Sequence, residues 1–239
     1  MLLPLRKAQI MKFKSEVVTQ ASGSIGGTTY SHNRGGMYRR ARAIPTNPAT
    51  SQQSAIRSIF AALSAAWRDT LTAVQRDAWN TYALNTPITG TLGDPINIGG
   101  LGMYQRGNVA RLQAGLTRVD DGPSTFGLPE FTAPGITSIT ASTGVAIITY
   151  NNADAWLDAT GAAMLVSGSR PVSPAINFFK GPYRFAGTIL GDDTTPPSSP
   201  QNVTMPFALT VGQVAHLKFN VTTEDGRYSA PFRASIAAV

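Results

Sequence analysis

The 239-residue sequence predicts an α+β protein in three parts: an extended, basic, glycine-rich N-terminal arm over 1–49, a small helical docking region over 50–122, and a C-terminal antiparallel β-sandwich over 123–239. Three observations carry this reading. The net charge of +7 is concentrated in Met1–Pro45. Two capping boxes, at Thr50 and Thr72, each open an apolar stripe at helical spacing. From Pro123 onward, short β-branched runs alternate with turn residues.

The arm holds Arg6, Lys7, Lys12, Lys14, Arg34, Arg39, Arg40 and Arg42 against Glu16 alone. Thr46–Gly122 carries six basic and five acidic residues, and Pro123–Val239 six and seven, so both later parts are near neutral. Gly23, Gly26, Gly27, Gly35 and Gly36 raise the entropic cost of ordering the arm. Ile25, Tyr30, Met37 and Tyr38 are spaced among them and would be wasted on a flexible tether. The arm therefore reads as an extended or hairpin segment that gains order against a partner; a hairpin packed on its own subunit is the alternative. Candidate partner-binding residues are Tyr30, His32, Arg34, Tyr38, Arg39, Arg40 and Arg42. Arginine forks pair with carboxylates or phosphates, and tyrosines add rigid contact area. Pro45 and Pro48 mark the boundary, because proline lacks an N–H and biases the preceding residue to extended backbone.

Thr50-x-x-Gln53 opens the first helix, with Ile56, Ile59, Phe60, Leu63 and Trp67 forming its apolar stripe. Thr72-x-x-Gln75 opens the second, which runs to about Ala83 and buries Val74, Ala78, Trp79 and Tyr82. The link between them is short, so they pair. A third helix spans Leu101–Ala114, with Gly115 as its C-terminal cap and Gly102 and Gly107 as unfavourable interior residues. Candidate strands follow at Ile136–Ala141, Val145–Tyr150, Ala162–Ser167, Arg184–Leu190, Pro206–Leu209, Val214–Thr222 and Tyr228–Ile236. In Val214–Thr222 the alternation puts Ala215, Leu217, Phe219 and Val221 inward and His216, Lys218 and Asn220 on a wet face. Phe232, Ala234 and Ile236 repeat the inward pattern after a turn at Glu224–Arg227, and Gly191–Asn202 reads as a long surface loop.

Composition narrows the function classes. An apolar fraction of 42% supports real cores, while 14% charged residues is well below the usual quarter, leaving Ser, Thr, Asn, Gln and Gly to cover the surface. There is no cysteine, which excludes disulfides and thiolate-ligated zinc. The opening Met-Leu-Leu-Pro-Leu-Arg-Lys is too short in apolar length for a signal peptide, no run is long enough for a membrane span, and Met11 opens a second natural start. His32 and His216 are the two histidines, one in the arm and one on a strand, too few and too separated for a metal site or a nucleophile's base. Asp120-Asp121, Asp192-Asp193 and Glu224-Asp225 sit beside glycine or proline and read as turn chemistry. As a helix-turn-helix reader, the second helix offers only Gln75, Arg76, Asn80 and Thr81.

Two stretches carry resemblances. Phe219-Asn-Val-Thr-Thr-Glu-Asp-Gly-Arg-Tyr-Ser229 resembles the last hairpin of immunoglobulin-like or fibronectin type III-like sandwiches, although the usual second-strand tryptophan is absent and Trp156 falls in the following turn. Ser22-Gly-Ser-Ile-Gly-Gly-Thr-Thr-Tyr-Ser-His-Asn-Arg-Gly-Gly-Met-Tyr-Arg-Arg-Ala-Arg42, with Pro45-Thr-Asn-Pro48, Trp67, Leu71-Thr72, Gln75-Arg76 and Trp79-Asn80, resembles uncharacterised tailed-bacteriophage and prophage virion proteins. That second resemblance implies a virion structural protein, made in the host cytoplasm and not an enzyme, without cofactor or metal. Its expected role is to decorate or stabilise the capsid as a homo-oligomer, with the arm contacting neighbouring virion subunits. A neck or tail position is the alternative. Non-specific nucleic-acid binding by the basic arm is the alternative from another class.

Overall fold

The computed structural model describes residues 10–12, 21–33, 36–44, 47–90 and 93–239. The chain divides into two compact units, Met1–Thr50 and Ser51–Val239. In the first, β1 (Ile10–Lys12), β2 (Gly23–Ile25), β3 (Thr28–Asn33) and β4 (Gly36–Ala41) form an antiparallel sheet in the order β1-β4-β3-β2. The sequence predicts an extended or hairpin arm. The β3–β4 hairpin is there, and two short edge strands flank it. Pro45 and Arg34 lie outside the described residues.

The second unit opens with α1 (Ser51–Asp69) and α2 (Ala73–Asn85). Thr72 caps α2 through both halves of its capping box: its hydroxyl accepts from the Gln75 N–H, and the Gln75 side chain accepts from the Thr72 N–H. After the small ladder of β5 (Ile88–Thr89) and β6 (Pro95–Ile96), α3 covers Gly99–Gln113. It ends in a Schellman motif. Gly115 takes φ +81° and its N–H donates to the Leu112 carbonyl, while the Leu116 N–H donates to that of Arg111. Leu63, Ala66, Leu71, Trp79, Tyr82, Ala83, Met103 and Tyr104 form the helical core. The Tyr104 ring lies 5.6 Å from Trp67 and 5.5 Å from Trp79. Two expectations fail here. Phe60 is 44% and Val74 78% exposed. The packed side of α1 runs through Leu63 and Ala66 near its C-terminal end, and Val74 sits in the first turn of α2, away from that core.

The remainder forms two antiparallel sheets: β11-β8-β7 and β10-β9-β12-β13, from β7 (Gly135–Thr140), β8 (Val145–Thr149), β9 (Ala163–Gly168), β10 (Arg184–Leu190), β11 (Gln201–Thr204), β12 (Val214–Thr222) and β13 (Phe232–Ala237). Both sheets supply one core. Ile139, Ala146, Ile148 and Val203 come from the first, and Met164, Val166, Ile189, Ala215, Leu217, Phe219 and Val221 from the second. The protein is thus mixed α+β with antiparallel sheets.

Three strand expectations need correction. The fifth strand is Gln201–Thr204, overlapping the end of the expected surface loop Gly191–Asn202, and not Pro206–Leu209. Gln201–Thr204 looks polar, but Val203 and the following Met205 alternate inward at 6% exposure each. Tyr228 makes only an isolated bridge to Thr222, and the last strand starts after Pro231. Finally, the wet face of β12 is covered: His216 is 6% and Asn220 3% exposed. Residues 169–183 return across this face. Phe179 stacks on His216 at 5.8 Å, and the Lys218 ammonium sits 5.8 Å from the Tyr183 ring. Burial, and secondarily Arg233 opposite it in register, push the Lys218 pKa down.

One face of α3 joins the helices to the sandwich. Gly107 lies against the Gly226 backbone so closely that a Cβ there would overlap the Gly226 carbonyl oxygen. Arg111, 3% exposed, donates through Nε to Thr117 O at 2.9 Å, and through Nη1 to Gly161 O at 2.6 Å and Thr223 O. Burial lowers its pKa, opposed by Asp225 and Glu224. Arg106 donates to Ser229 O at 3.0 Å and stands 5.3 Å over the Tyr228 ring. Burial pushes the Tyr228 pKa up to about 12.

Gly107→Ala is expected to lower unfolding stability by about 1–3 kcal/mol, because backbone must shift to admit the methyl. Val74→Ala should change it by less than about 0.5 kcal/mol. Urea denaturation of the two variants checks both; equal losses would contradict the packing described.

Candidate functional site

Of the seven residues singled out from the sequence, five lie on the arm sheet. Tyr30 and His32 lie on β3, and Tyr38, Arg39 and Arg40 on β4. Arg42 follows β4, its N–H donating to Gly27 O at 2.8 Å. Arg34 lies outside the described residues. Register sorts the others into two groups, since cross-strand partners share a face and neighbours along a strand do not. Tyr30 pairs with Arg39 and His32 with Met37, while Ser31 pairs with Tyr38 and Thr29 with Arg40. Tyr30, His32 and Arg39 therefore share a face with Met37 and, across the β2–β3 turn, Ile25. Tyr38 and Arg40 share the opposite face with Ser24, Thr29 and Ser31. The Ser24 and Thr29 hydroxyls are hydrogen-bonded at 2.8 Å, as that register requires.

The site is thus two-faced. Across β2–β4, one face is apolar and aromatic with an arginine and a histidine, and the other is lined by hydroxyls with a tyrosine and an arginine. The sequence names these residues one by one and leaves their division between faces open. The signal was present in the alternation Thr28, Tyr30, His32, which a segment read as an irregular arm does not reveal.

Burial sets the chemistry of this sheet. Among residues 21–32 and 36–44 none is buried; Tyr30, Met37 and Tyr38 are half-buried, His32, Arg39, Arg40 and Arg42 exposed, and Ile25 is 78% exposed. Ordering each backbone residue costs on the order of 1–2 kcal/mol. Sheets normally offset that cost with an apolar face packed on something else. Here the described side chains of the apolar face are half-buried or exposed.

Elsewhere in the described residues, polar groups hold the fold. Asp120 is paired with Arg118 at 2.6 Å, Asp225 with Arg227 at 2.8 Å, and Asp121 accepts from Gln75 at 3.0 Å. Asp192 accepts the N–H groups of Thr194 and Thr195, which hold its pKa below the usual range. Among the described residues no cluster of three or more His, Cys, Asp or Glu could hold a metal ion. No described helix is long and apolar enough to cross a membrane. On α2, Gln75 serves the capping box and Arg76 donates to the Trp67 carbonyl at the end of α1, at 3.2 Å. A shallow depression of about 270 Å³ lies between the β7–β8 turn and the segment after β11, lined by Ser142, Thr143, Met205 and Phe207 among others. Arg184 stacks on Phe207 at 4.8 Å. No protein family, no curated protein and no solved structure matches this chain.

A peptide of residues 1–50 is expected to show no cooperative thermal transition by far-UV circular dichroism, because none of residues 21–32 and 36–44 is fully buried. A sigmoidal melt of that peptide would contradict this view of the arm.

Proposed function

We propose that the protein is a tailed-bacteriophage virion structural protein that decorates or stabilises the capsid through its N-terminal arm. The observation that carries the reading is the arm: residues 1–45 hold the chain's net positive charge, the sheet displays tyrosine, methionine and isoleucine, and none of residues 21–32 and 36–44 is buried. The N-terminal resemblance to phage virion proteins supplies the particle. The arm contacts neighbouring virion subunits, and Ser51–Val239, with cores of its own, is the body it serves. We place the protein in the virion as a symmetric homo-oligomer, structural and without a catalytic step or cofactor.

The sandwich fits this role as an immunoglobulin-like or fibronectin type III-like module. Counting its seven strands in chain order, the first, second and fifth form one sheet, and the third, fourth, sixth and seventh the other. A constant-type immunoglobulin places the fourth strand on the first-strand sheet. Here that strand sits at the edge of the other sheet, beside the third. This strand order supports the fibronectin type III-like version of the reading.

A neck or tail position is the second reading within the same class, and copy number per particle separates them: hundreds of copies place the protein on the capsid, and roughly six or twelve at the neck or tail. The nucleic-acid reading rests on the arm's charge. It draws nothing from α2, where Gln75 and Arg76 are engaged within the fold.

Deleting residues 1–42 is expected to leave a folded protein that no longer joins the particle. Thermal melting of the truncated chain and mass-spectrometric counting of copies per purified particle check this. Normal incorporation of the truncated chain would overturn the reading. The full chain should bind duplex DNA weakly even at low salt. Tight binding that weakens steeply with salt, as about seven phosphate contacts would produce, would favour the nucleic-acid class.

A further inference from the structure

The two faces of the arm sheet do not offer the same chemistry, and the difference identifies the docking face. Resting on the virion reading above, we infer that the arm docks through the face bearing Ile25, Tyr30, His32, Met37 and Arg39, onto a different virion protein whose surface presents an apolar patch rimmed by carboxylates. The opposite face, with Ser24, Thr29, Ser31, Tyr38 and Arg40, stays toward solvent.

The register fixes which residues act together. Tyr30 and Arg39 are cross-strand partners, as are His32 and Met37, and Ile25 closes the same face at the β2–β3 turn opposite Thr28. Ile25 is 78% exposed and Met37 half-buried, so the face leaves apolar surface accessible to water. Contiguous apolar surface beside a basic group marks a protein contact more than a phosphate contact. Methionine adapts to irregular surfaces, tyrosine supplies rigid area at low entropic cost, and arginine forks onto a carboxylate in two parallel hydrogen bonds. Among β2–β4 the other face sets its tyrosine and arginine beside hydroxyls, while β1 brings Met11 into register with Arg39 and Ile10 and Lys12 into register with Arg40 and Tyr38. The Ser24 and Thr29 hydroxyls already satisfy each other at 2.8 Å, and hydroxyls gain little when removed from water.

Charge selects the occupant. The first 50 residues hold eight of the twenty basic residues and one of the thirteen acidic ones, so Ser51–Val239 carries no net charge. Arm-to-arm pairing would set +7 against +7, and the body of a second copy offers no net attraction. An acidic surface on another protein complements the arm where a second copy does not.

The test supplies variants of the full chain to particles assembled in cells that lack the native gene, and counts copies per purified particle by mass spectrometry. Thermal melting of each purified variant reports whether Ser51–Val239 remains folded. Tyr30→Ser combined with Met37→Ser is expected to cut incorporation by about tenfold or more, as loss of central anchors does. Arg39→Glu should do the same by reversing the charge complement. Tyr38→Ser combined with Arg40→Ser should cost less than about twofold. Equal or greater loss from the Tyr38/Arg40 pair would overturn the assignment of the face while leaving the arm as the assembly device. Normal incorporation of all these variants, with the 1–42 deletion still excluded, would likewise reject the face and spare the reading. Normal incorporation of the deletion itself would remove both. Photo-crosslinking from position 37 in intact particles should yield an adduct with a different, acidic virion protein. An adduct with a second copy of this chain, or incorporation that requires packaged DNA, would overturn the occupant.

Discussion

The body of this protein depends on one side chain whose partners are all backbone. Arg111 is enclosed at 3% exposure, and its guanidinium donates to the carbonyls of Thr117, Gly161 and Thr223, which belong to the loop after α3, the turn before β9 and the turn after β12. Three segments distant in sequence are thereby tied to one helix. A buried carbonyl stripped of its donor costs about 1–3 kcal/mol, so losing the guanidinium would be felt at all three. Gly107, one turn earlier on the same helix, allows the β12–β13 turn to approach near enough for these bonds to form. Arg106 extends the seam to Ser229 and Tyr228. Helices and sandwich, each with its own apolar cluster, meet there.

The arm obeys the opposite logic. Its strands satisfy one another through backbone ladders, and none of residues 21–32 and 36–44 is fully buried. Such a sheet has hydrogen bonds with little apolar burial from those residues to offset the entropy of ordering glycine-rich chain. On the reading proposed above, contact with a partner supplies that term. This is the physical reason the arm is read as the functional element: the part of the protein that carries the charge also exposes apolar groups among its described residues.

Much of the local structure was legible in the sequence, because local rules decide it. The Thr72 box, the Gly115 cap and the alternation of Ala215 through Val221 each appear as read. What escaped was set by distant chain. Val74 and Phe60 fit an apolar stripe, but the packing partners of α1 and α2 do not reach them. His216 and Asn220 fit a solvent-facing alternation, but residues 169–183 cover His216 and the segment at Ser229 meets Asn220, and nothing local announces segments that return across a sheet. The strand at Gln201–Thr204 was hidden by its polar composition. In the arm, the residue types of the site were legible and their division between two faces was not, because faces exist only once pairing register is known.

On the proposed reading the arm sheet takes its core from a partner. Amide hydrogen exchange over residues 23–41, compared between the purified protein and the assembled particle, is the decisive measurement. Fast exchange is expected in the purified protein, well short of the protection of β9 and β12, and strong protection in the particle. Arm amides as protected in the isolated protein as those core strands, and unchanged by assembly, would contradict it.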